Sequence, residues 1–499
     1  MWDECAVQRL GRFFCTISEI SCKMMSMKEA KSLKIPYLPE EARMVTYENG
    51  YTFVFVPKKG DVFNISTWVK TGSIHEDDQI NGISHFLEHL MFKGTERFKP
   101  GEFDKAMESM GAVINAATWK DFTFYYVTGP KGKSDAAQLG QNFELALDLH
   151  SDMMLGSTIP DEEVGPQYDP FDANYKGEKR ERSVVIEEIS MREDQPWTKI
   201  YNSVNHMMYQ AGHPYQRDVI GTRQIIGNVP RDTIYQYYRQ WYSPSNMTTI
   251  VVGDFDFNLL EEKICRYFDF EKFKITTNGK DVTPRAEQFK APAAQRYDEV
   301  KGEYQTSFFI MGFHAPDPKN LKETIALDVV SHVLGEGRSS RLTQALLEKP
   351  ATPVYNYVSC GQSTFKLGNV FFIQGNFNFP QGQSDPKPVL KQLEAELEKL
   401  LTTEPVTEAE FQRAVKKLKV NFAETSETAS GIAETIGEAI TVVGSIDSYL
   451  DYLTVLSQLD VATVNAVARQ YLSLDKAYTS VMVPGEGALK TEDDSEGEA

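Results

Sequence analysis

The chain has 499 residues, 41% of them hydrophobic, and a formal net charge of −19 at neutral pH. That length can bury large cores in two or more domains, and no apolar run is long enough to span a bilayer. The acidic balance argues against nucleic acid, whose phosphates need concentrated Lys and Arg, and favours basic or neutral substrates instead.

Residues 1–38 read as an N-terminal extension, possible disorder included. Arg9, Arg12 and Lys23 mix with Asp3, Glu4 and Glu19 and no continuous apolar stretch follows, so the segment fits neither a secretory signal nor an organellar presequence. A flexible extension, or a true start at Met24, Met25 or Met27, is the expectation. The five cysteines contain no Cys-x-x-Cys pair and form neither a disulfide framework nor a thiolate metal site. A reducing, cytoplasmic setting follows as the default. Past a linker at 36–39, residues 51–56 and 62–69 are expected strands around the turn Pro57-Lys58-Lys59-Gly60, together a hairpin.

The next stretch, Gly82-Ile83-Ser84-His85-Phe86-Leu87-Glu88-His89-Leu90-Met91-Phe92-Lys93-Gly94, carries two stripes. Ile83, Phe86, Leu87, Leu90 and Met91 recur with the period of a core-facing helix. His85, Glu88, His89 and Phe92 recur on the opposite side, and Gly94 suits the stop. Two histidines at i and i+4 can grip one zinc ion, and a carboxylate beside them can act as a base. Paired histidines also arise on ordinary helix surfaces; the full His-x-x-Glu-His order is the rarer, inverted zinc-peptidase signature.

A helix over 102–110, a strand pair at 113–118 and 122–128, and a helix over 136–152 follow. Residues 165–177, with two prolines and two glycines, read as an inserted loop. A charged helix over 178–192 comes next, then helices at 197–210 and 231–241, a buried strand at 248–252 and a helix at 258–268. Residues 271–297 form a linker. A strand at 304–313, a helix at 321–334, a strand at 370–374 and helices at 388–401 and 408–424 follow, and 485–499 is an acidic tail expected to be disordered. The domains are thus 39–270 and 298–484.

Zinc in catalytic sites takes three protein ligands. No other histidine has a partner at ligand spacing, so the third is expected to be a carboxylate of the 178–192 helix. There Glu181 and Glu188 lie on the apolar side, where an unpaired carboxylate is costly, while Glu187 lies among surface residues. The two halves read as remote repeats: with Gly94 placed over Gly335, the positions of His85, Glu88 and His89 hold Ala326, Val329 and Val330. The second half is therefore expected to carry no metal, with His332 structural.

These motifs resemble the pitrilysin/insulinase family of zinc peptidases, and within it the branch of the mitochondrial processing peptidase β subunit and its bacterial relatives. The resemblance runs over most of 45–480. Beyond the histidine helix it is carried by Gly111-Ala112-x-x-Asn115-Ala116-x-Thr118, Glu181-Arg182-x-Val184-x-x-x-Glu188-Ile189, His213-Pro214-Tyr215, Tyr242-x-Pro244-x-Asn246-Met247 and Ser339-Ser340-Arg341-Leu342. It implies an α+β fold of two structurally similar halves, each a mostly antiparallel sheet packed with helices on one face. It implies one zinc per chain held by His85, His89 and Glu188, with Glu88 as general base and Glu181 as a second active-site glutamate. Asn115 and Ala116 fall where the family's edge strand pairs with substrate backbone; read without the family, Asn115 is a turn or strand-end residue.

Two departures accompany the resemblance. The interval from His89 to Glu188 is longer than is usual in the family, by about the length of the 165–177 insert, which is placed to rim the site. The second-half Arg of active members, expected after Ser-Ser-Arg-Leu, falls on Leu347, and the Tyr that accompanies it falls on Tyr355 or Tyr357. The implied function is a zinc metalloendopeptidase acting on peptides or unfolded segments, as a homodimer or as a heterodimer with a paralogous subunit. The alternatives are a non-catalytic scaffold or partner subunit, which normally lacks these ligands, and a purely structural zinc, which normally has four Cys/His ligands.

Overall fold

In the computed structural model, residues 25–133, 139–172, 177, 180–275, 295–380 and 383–485 are described. Most of the 271–297 linker (276–294) and of the tail (486–499), and residues 1–24, lie outside them. The strands are β1 (Met27–Leu33), β2 (Ala42–Tyr47), β3 (Thr52–Pro57), β4 (Val62–Val69), β5 (Val113–Thr118), β6 (Thr123–Pro130) and β7 (Met247–Gly253) in the first half. The second half has β8 (Tyr297–Gly302), β9 (Ser307–His314), β10 (Tyr355–Ser363), β11 (Val370–Phe377) and β12 (Tyr478–Pro484). Among the described residues no helix is long and apolar enough to cross a membrane.

The two sheets repeat one plan. The first runs β1-β2-β3-β7-β4-β6-β5 and the second β10-β11-β9-β12-β8. Read from β5 and from β10, five strands correspond one to one. In both, three antiparallel pairings are followed by a parallel one, β7 on β3 and β12 on β8. The α+β architecture of two similar halves is therefore as expected from the sequence.

The hairpin expected at 51–69 does not form. β7 lies between β3 and β4, parallel to one and antiparallel to the other. All seven residues of β7 are buried, as a central strand covered on both faces requires, so the turn at 57–60 steps over it. Met27–Leu33, assigned above to the extension, is instead the edge strand β1. Six of its seven residues are exposed, and without alternation it leaves no strand signature.

Each sheet packs its own helices on one face, and the other face is covered by a helix from the opposite half. In the 196–208 helix, Ile200, Val204, Met207 and Met208 bury against Ile310, Tyr478 and Met482 of the second sheet. In the 429–438 helix, Ile432, Ala433 and Ile436 bury against Val54, Val56, Trp68 and Ile250 of the first. A Cβ on Gly437 would stand 2.0 Å from the Trp68 indole, so only glycine allows this approach. The described part of the 165–177 insert lies on the 223–228 helix, Tyr168 N donating to Gly227 O at 3.1 Å. Its Tyr168 hydroxyl reaches Ser183 Oγ at 3.4 Å on the 181–193 helix.

Candidate metal centre

The Ile83–Met91 helix buries Ile83, Phe86, Leu87, Leu90 and Met91, the stripe expected from its period. Its start is fixed by backbone contact: Gly82 is left-handed (φ +95°), and a Cβ there would come within 2.5 Å of Ile220 O. Sequence reasoning missed what caps it. Glu76, 4% exposed, accepts from Gly82 N (2.7 Å), Ser84 N (2.8 Å) and Asn81 Nδ2 (2.8 Å), so a carboxylate sits on the positive end of the helix. Burial raises its pKa against those hydrogen bonds. Lying outside the usual capping-box spacing, it gives no local signal.

On the opposite side the two imidazoles meet a carboxylate of the Glu181–Glu193 helix. Glu188 Oε2 lies 3.7 Å from His85 Nε2 and 3.6 Å from His89 Nε2, and one ligand atom from each of the three residues lies within 4.8 Å of the others. Glu181, two turns earlier, turns instead to the far nitrogen, His89 Nδ1, at 3.2 Å, and its other oxygen pairs with Lys93 Nζ at 2.7 Å. The two glutamates left open by the helix wheel thus separate into different positions. Glu88 faces the site with Oε2 accepting from Thr118 Oγ1 at 2.6 Å.

The electrostatics describe a place for a cation. Burial, then the neighbouring His89, brings the His85 imidazole down to about 4 despite the pull of Glu188. Burial works the same way on His89, but Glu181 and Glu188 outweigh it and push this imidazole up to about 9. The contact with His89 holds the Glu188 carboxyl low. Glu181 is also held low, because His89 and Lys93 overcome its burial. Two ionised carboxylates therefore share one imidazolium. Two imidazole nitrogens and a carboxylate oxygen in this arrangement fit zinc, with Glu181 behind His89 as the outer carboxylate that orients a ligating histidine. His85 Nδ1 is buried without a hydrogen-bond partner, so only a group at Nε2 would set its tautomer.

Asn115 and Ala116 lie on β5, the outermost strand of the first sheet, paired to Tyr126 and Tyr125 of β6; among the described residues no strand pairs with its other edge. Asn115 is exposed and its side-chain oxygen accepts from Ala116 N at 2.9 Å. Tyr355, expected at the substrate, is not there. It is 1% exposed in the second core and its hydroxyl donates to Val389 O at 2.8 Å. A β-bulge between Tyr355 and Tyr357 breaks the strand's alternation and leaves Tyr357 outside, 45% exposed. Leu347 packs against the second core. The 321–334 helix lies against β10 as the histidine helix lies against β5, with Ala326, Val329 and Val330 wholly buried. His332 Nδ1 there pairs with Glu336 at 3.0 Å.

A sequence profile described as Insulinase (Peptidase family M16) matches residues 54–222, and one described as Peptidase M16 inactive domain matches 228–418. The chain belongs to the insulinase family, peptidase family M16. This M16 chain is 29% identical over 451 residues to the zinc protease PqqE of Helicobacter pylori, covering 90% of itself and 94% of that protein. It is 26% identical over 428 residues to the uncharacterized zinc protease YmxG of Bacillus subtilis, covering 84% and 93%. Among solved structures it superposes on a protease from Helicobacter pylori with a TM-score of 0.74 at 25% identity, over 91% of this chain and 99% of that one. Pitrilysin, at 14% identity, shares the fold: the TM-score is 0.68 over 92% of this M16 chain and 46% of pitrilysin.

Proposed function

We propose that this chain is a zinc-dependent endopeptidase acting on peptides or unfolded protein segments. The observation that carries the reading is the placement of His85, His89 and Glu188 around one point, with Glu88 beside them at the free edge of a sheet. His85, His89 and Glu188 would hold the metal. When bound, zinc supplies Lewis acidity, lowering the pKa of water and polarising a carbonyl.

The remaining steps belong to the chain's own side chains. Burial raises the Glu88 carboxyl, opposed by the hydrogen bond from Thr118, which suits it to take a proton from the attacking water and return it to the leaving amine. Thr118 keeps that carboxylate aimed and ties it to β5. The open edge of β5 offers backbone donors and acceptors to an extended substrate, which would add as another strand beside Asn115 and Ala116. Glu181, at 3.2 Å from His89 Nδ1, orients that imidazole.

The test is metal analysis together with a quenched-fluorescence peptide assay on wild type and Glu88→Gln. One zinc per chain is expected in both. Turnover is expected in the wild type and a loss of at least about 100-fold in Glu88→Gln, the scale of a general base. Zinc binding with equal turnover in both proteins would remove Glu88 from the chemistry.

A further inference from the structure

A cavity of about 330 Å³ opens on the face of the first sheet turned away from the histidine helix. Its floor is Asn64 and Ser66 of β4 with Phe124 and Tyr126 of β6. Successive strand residues point to opposite faces, and Ile65, Tyr125 and Val127, which alternate with these, pack in the core that holds Phe86 and Leu87. Val113 of β5 joins the lining and is 63% exposed. The facing wall belongs to the second half, where the 429–438 helix brings Ala433 and Glu434.

The floor carries polar atoms that the chain does not satisfy. Asn64 and Ser66 are 1% and 2% exposed. Asn64 Nδ2 donates to Thr128 Oγ1 at 2.8 Å, but Asn64 Oδ1 and Ser66 Oγ are buried without a hydrogen-bond partner. Such atoms cost stability when left unmatched, and the cavity beside them has room for a matching group. An amide oxygen only accepts, so that group must be a donor.

Charge and rings narrow the donor to a cation. Glu434 and Glu438 lie one turn apart on the same side of their helix, and among the described residues no hydrogen bond or ion pair reaches either carboxylate. Burial, then repulsion from Glu434, pushes the Glu438 carboxyl up to about 7, the mark of a place short of positive charge. On the floor Phe124 is stacked against Trp68, with ring centroids 4.3 Å apart, and against Tyr126 at 5.8 Å. Aromatic faces attract ammonium and guanidinium groups, whereas a hard metal ion needs oxygen ligands that rings do not offer. The volume exceeds the ~150 Å³ that accommodates benzene, so a small organic molecule fits whole.

We propose that this cavity is a binding site for a small organic cation, whose ammonium or guanidinium group pairs with Glu434 and donates to Asn64 Oδ1 and Ser66 Oγ while its alkyl chain lies on Phe124 and Tyr126. A net charge of −19 raises the local concentration of such ligands. The site lies across the sheet from the metal centre and does not rest on the endopeptidase reading. Its walls come from β5 and from the second half, so an occupant would join that strand to the 429–438 helix.

The experiment measures binding to the full-length, zinc-loaded chain by calorimetry and by the shift in thermal midpoint, at fixed ionic strength, with agmatine, n-pentylamine and n-pentanol as probes. Agmatine and pentylamine are expected to bind at one site and to raise the midpoint. Pentanol, of the same length without the charge, is expected to bind at least about tenfold more weakly. Glu434→Gln, at an exposed position, is expected to weaken both amines by about tenfold or more. Tyr126→Leu, which removes a ring face, is expected to weaken the amines and leave pentanol unchanged. An acetylated, amidated Ala-Lys-Ala peptide separates the two sources of the same group: binding equal to that of pentylamine assigns the site to a protein side chain, binding of the free amines alone to a metabolite, and either supports the site. Equal binding of pentanol and pentylamine overturns the proposal, as does no binding of either amine. Amine binding untouched by both substitutions places the amine elsewhere, at the zinc included, and overturns it as well. Calcium binding that Glu434→Gln abolishes, without amine binding, would make the cavity a metal site instead.

Discussion

His89 stands between two carboxylates, and in the metal-free chain a proton on its ring holds them together. The imidazole is pushed up to about 9, so at pH 7 that proton is bound and has to leave before Nε2 can ligate a metal. Zinc loading at pH 7 is therefore expected to release about one proton per chain, measured by calorimetry in buffers of different ionisation heat. Glu181→Gln withdraws the partner on Nδ1. It is expected to lower zinc affinity by about 10–100-fold and to reduce the proton release; unchanged values for both would show that Glu181 does not act through His89. The group of His85, His89 and Glu188 was partly readable in the sequence: the two histidines recur with helical period on one helix, whereas the apolar side of the next helix left Glu181 and Glu188 both open and only the family resemblance singled out Glu188. Glu76 and Thr118 were not readable, since neither a carboxylate placed six residues ahead of the backbone N–H it caps nor a hydrogen bond spanning 30 residues leaves a periodic trace. Tyr355 was misplaced for a related reason: the bulge that separates it from Tyr357 has no signature in the residues themselves.

At the scale of elements, the histidine helix, the 181–193 helix and the 321–334 helix lie close to where their patterns put them, because a long apolar stripe is the strongest local signal. The 429–438 helix was invisible. It contains Gly431 and Gly437, and glycine costs helix propensity. Yet Gly437 is what lets the helix press onto Trp68. Gly437→Ala places a methyl into the indole at 2.0 Å and is expected to destabilise by about 1–3 kcal/mol, the usual cost of overfilling a packed core. A shift in the denaturant midpoint checks this. An unchanged midpoint would mean that the helix is not seated on the first sheet as described. The order of strands was equally hidden, because β7 enters between β3 and β4 from nearly 180 residues downstream and local patterning records only that such a strand is buried.

Taken whole, the molecule is two copies of one sheet plan fastened together at several levels. Each half covers a face of the other's sheet with a helix, and a buried polar knot joins them near the site. In it Asp121 accepts from Lys366 N at 3.0 Å and from the Tyr215 hydroxyl at 2.9 Å, and Tyr215 Oη also accepts from Leu367 N at 3.0 Å. Neither half has a complete set of covered faces alone. Equilibrium unfolding in denaturant is therefore expected to be a single transition, with coincident midpoints by tryptophan fluorescence and far-ultraviolet circular dichroism; two separated midpoints would refute that interdependence. The ties between the halves reach as far as Glu188. The helix that carries it ends at Glu193 and the helix seated on the second sheet begins at Pro196. The short link between them is pinned at Asp194 O by the Tyr304 hydroxyl of the second half, at 2.9 Å. Glu188 is thus tethered to the far half through the link that follows its helix, so the position of the carboxylate beside His85 and His89 depends on contacts made by both halves.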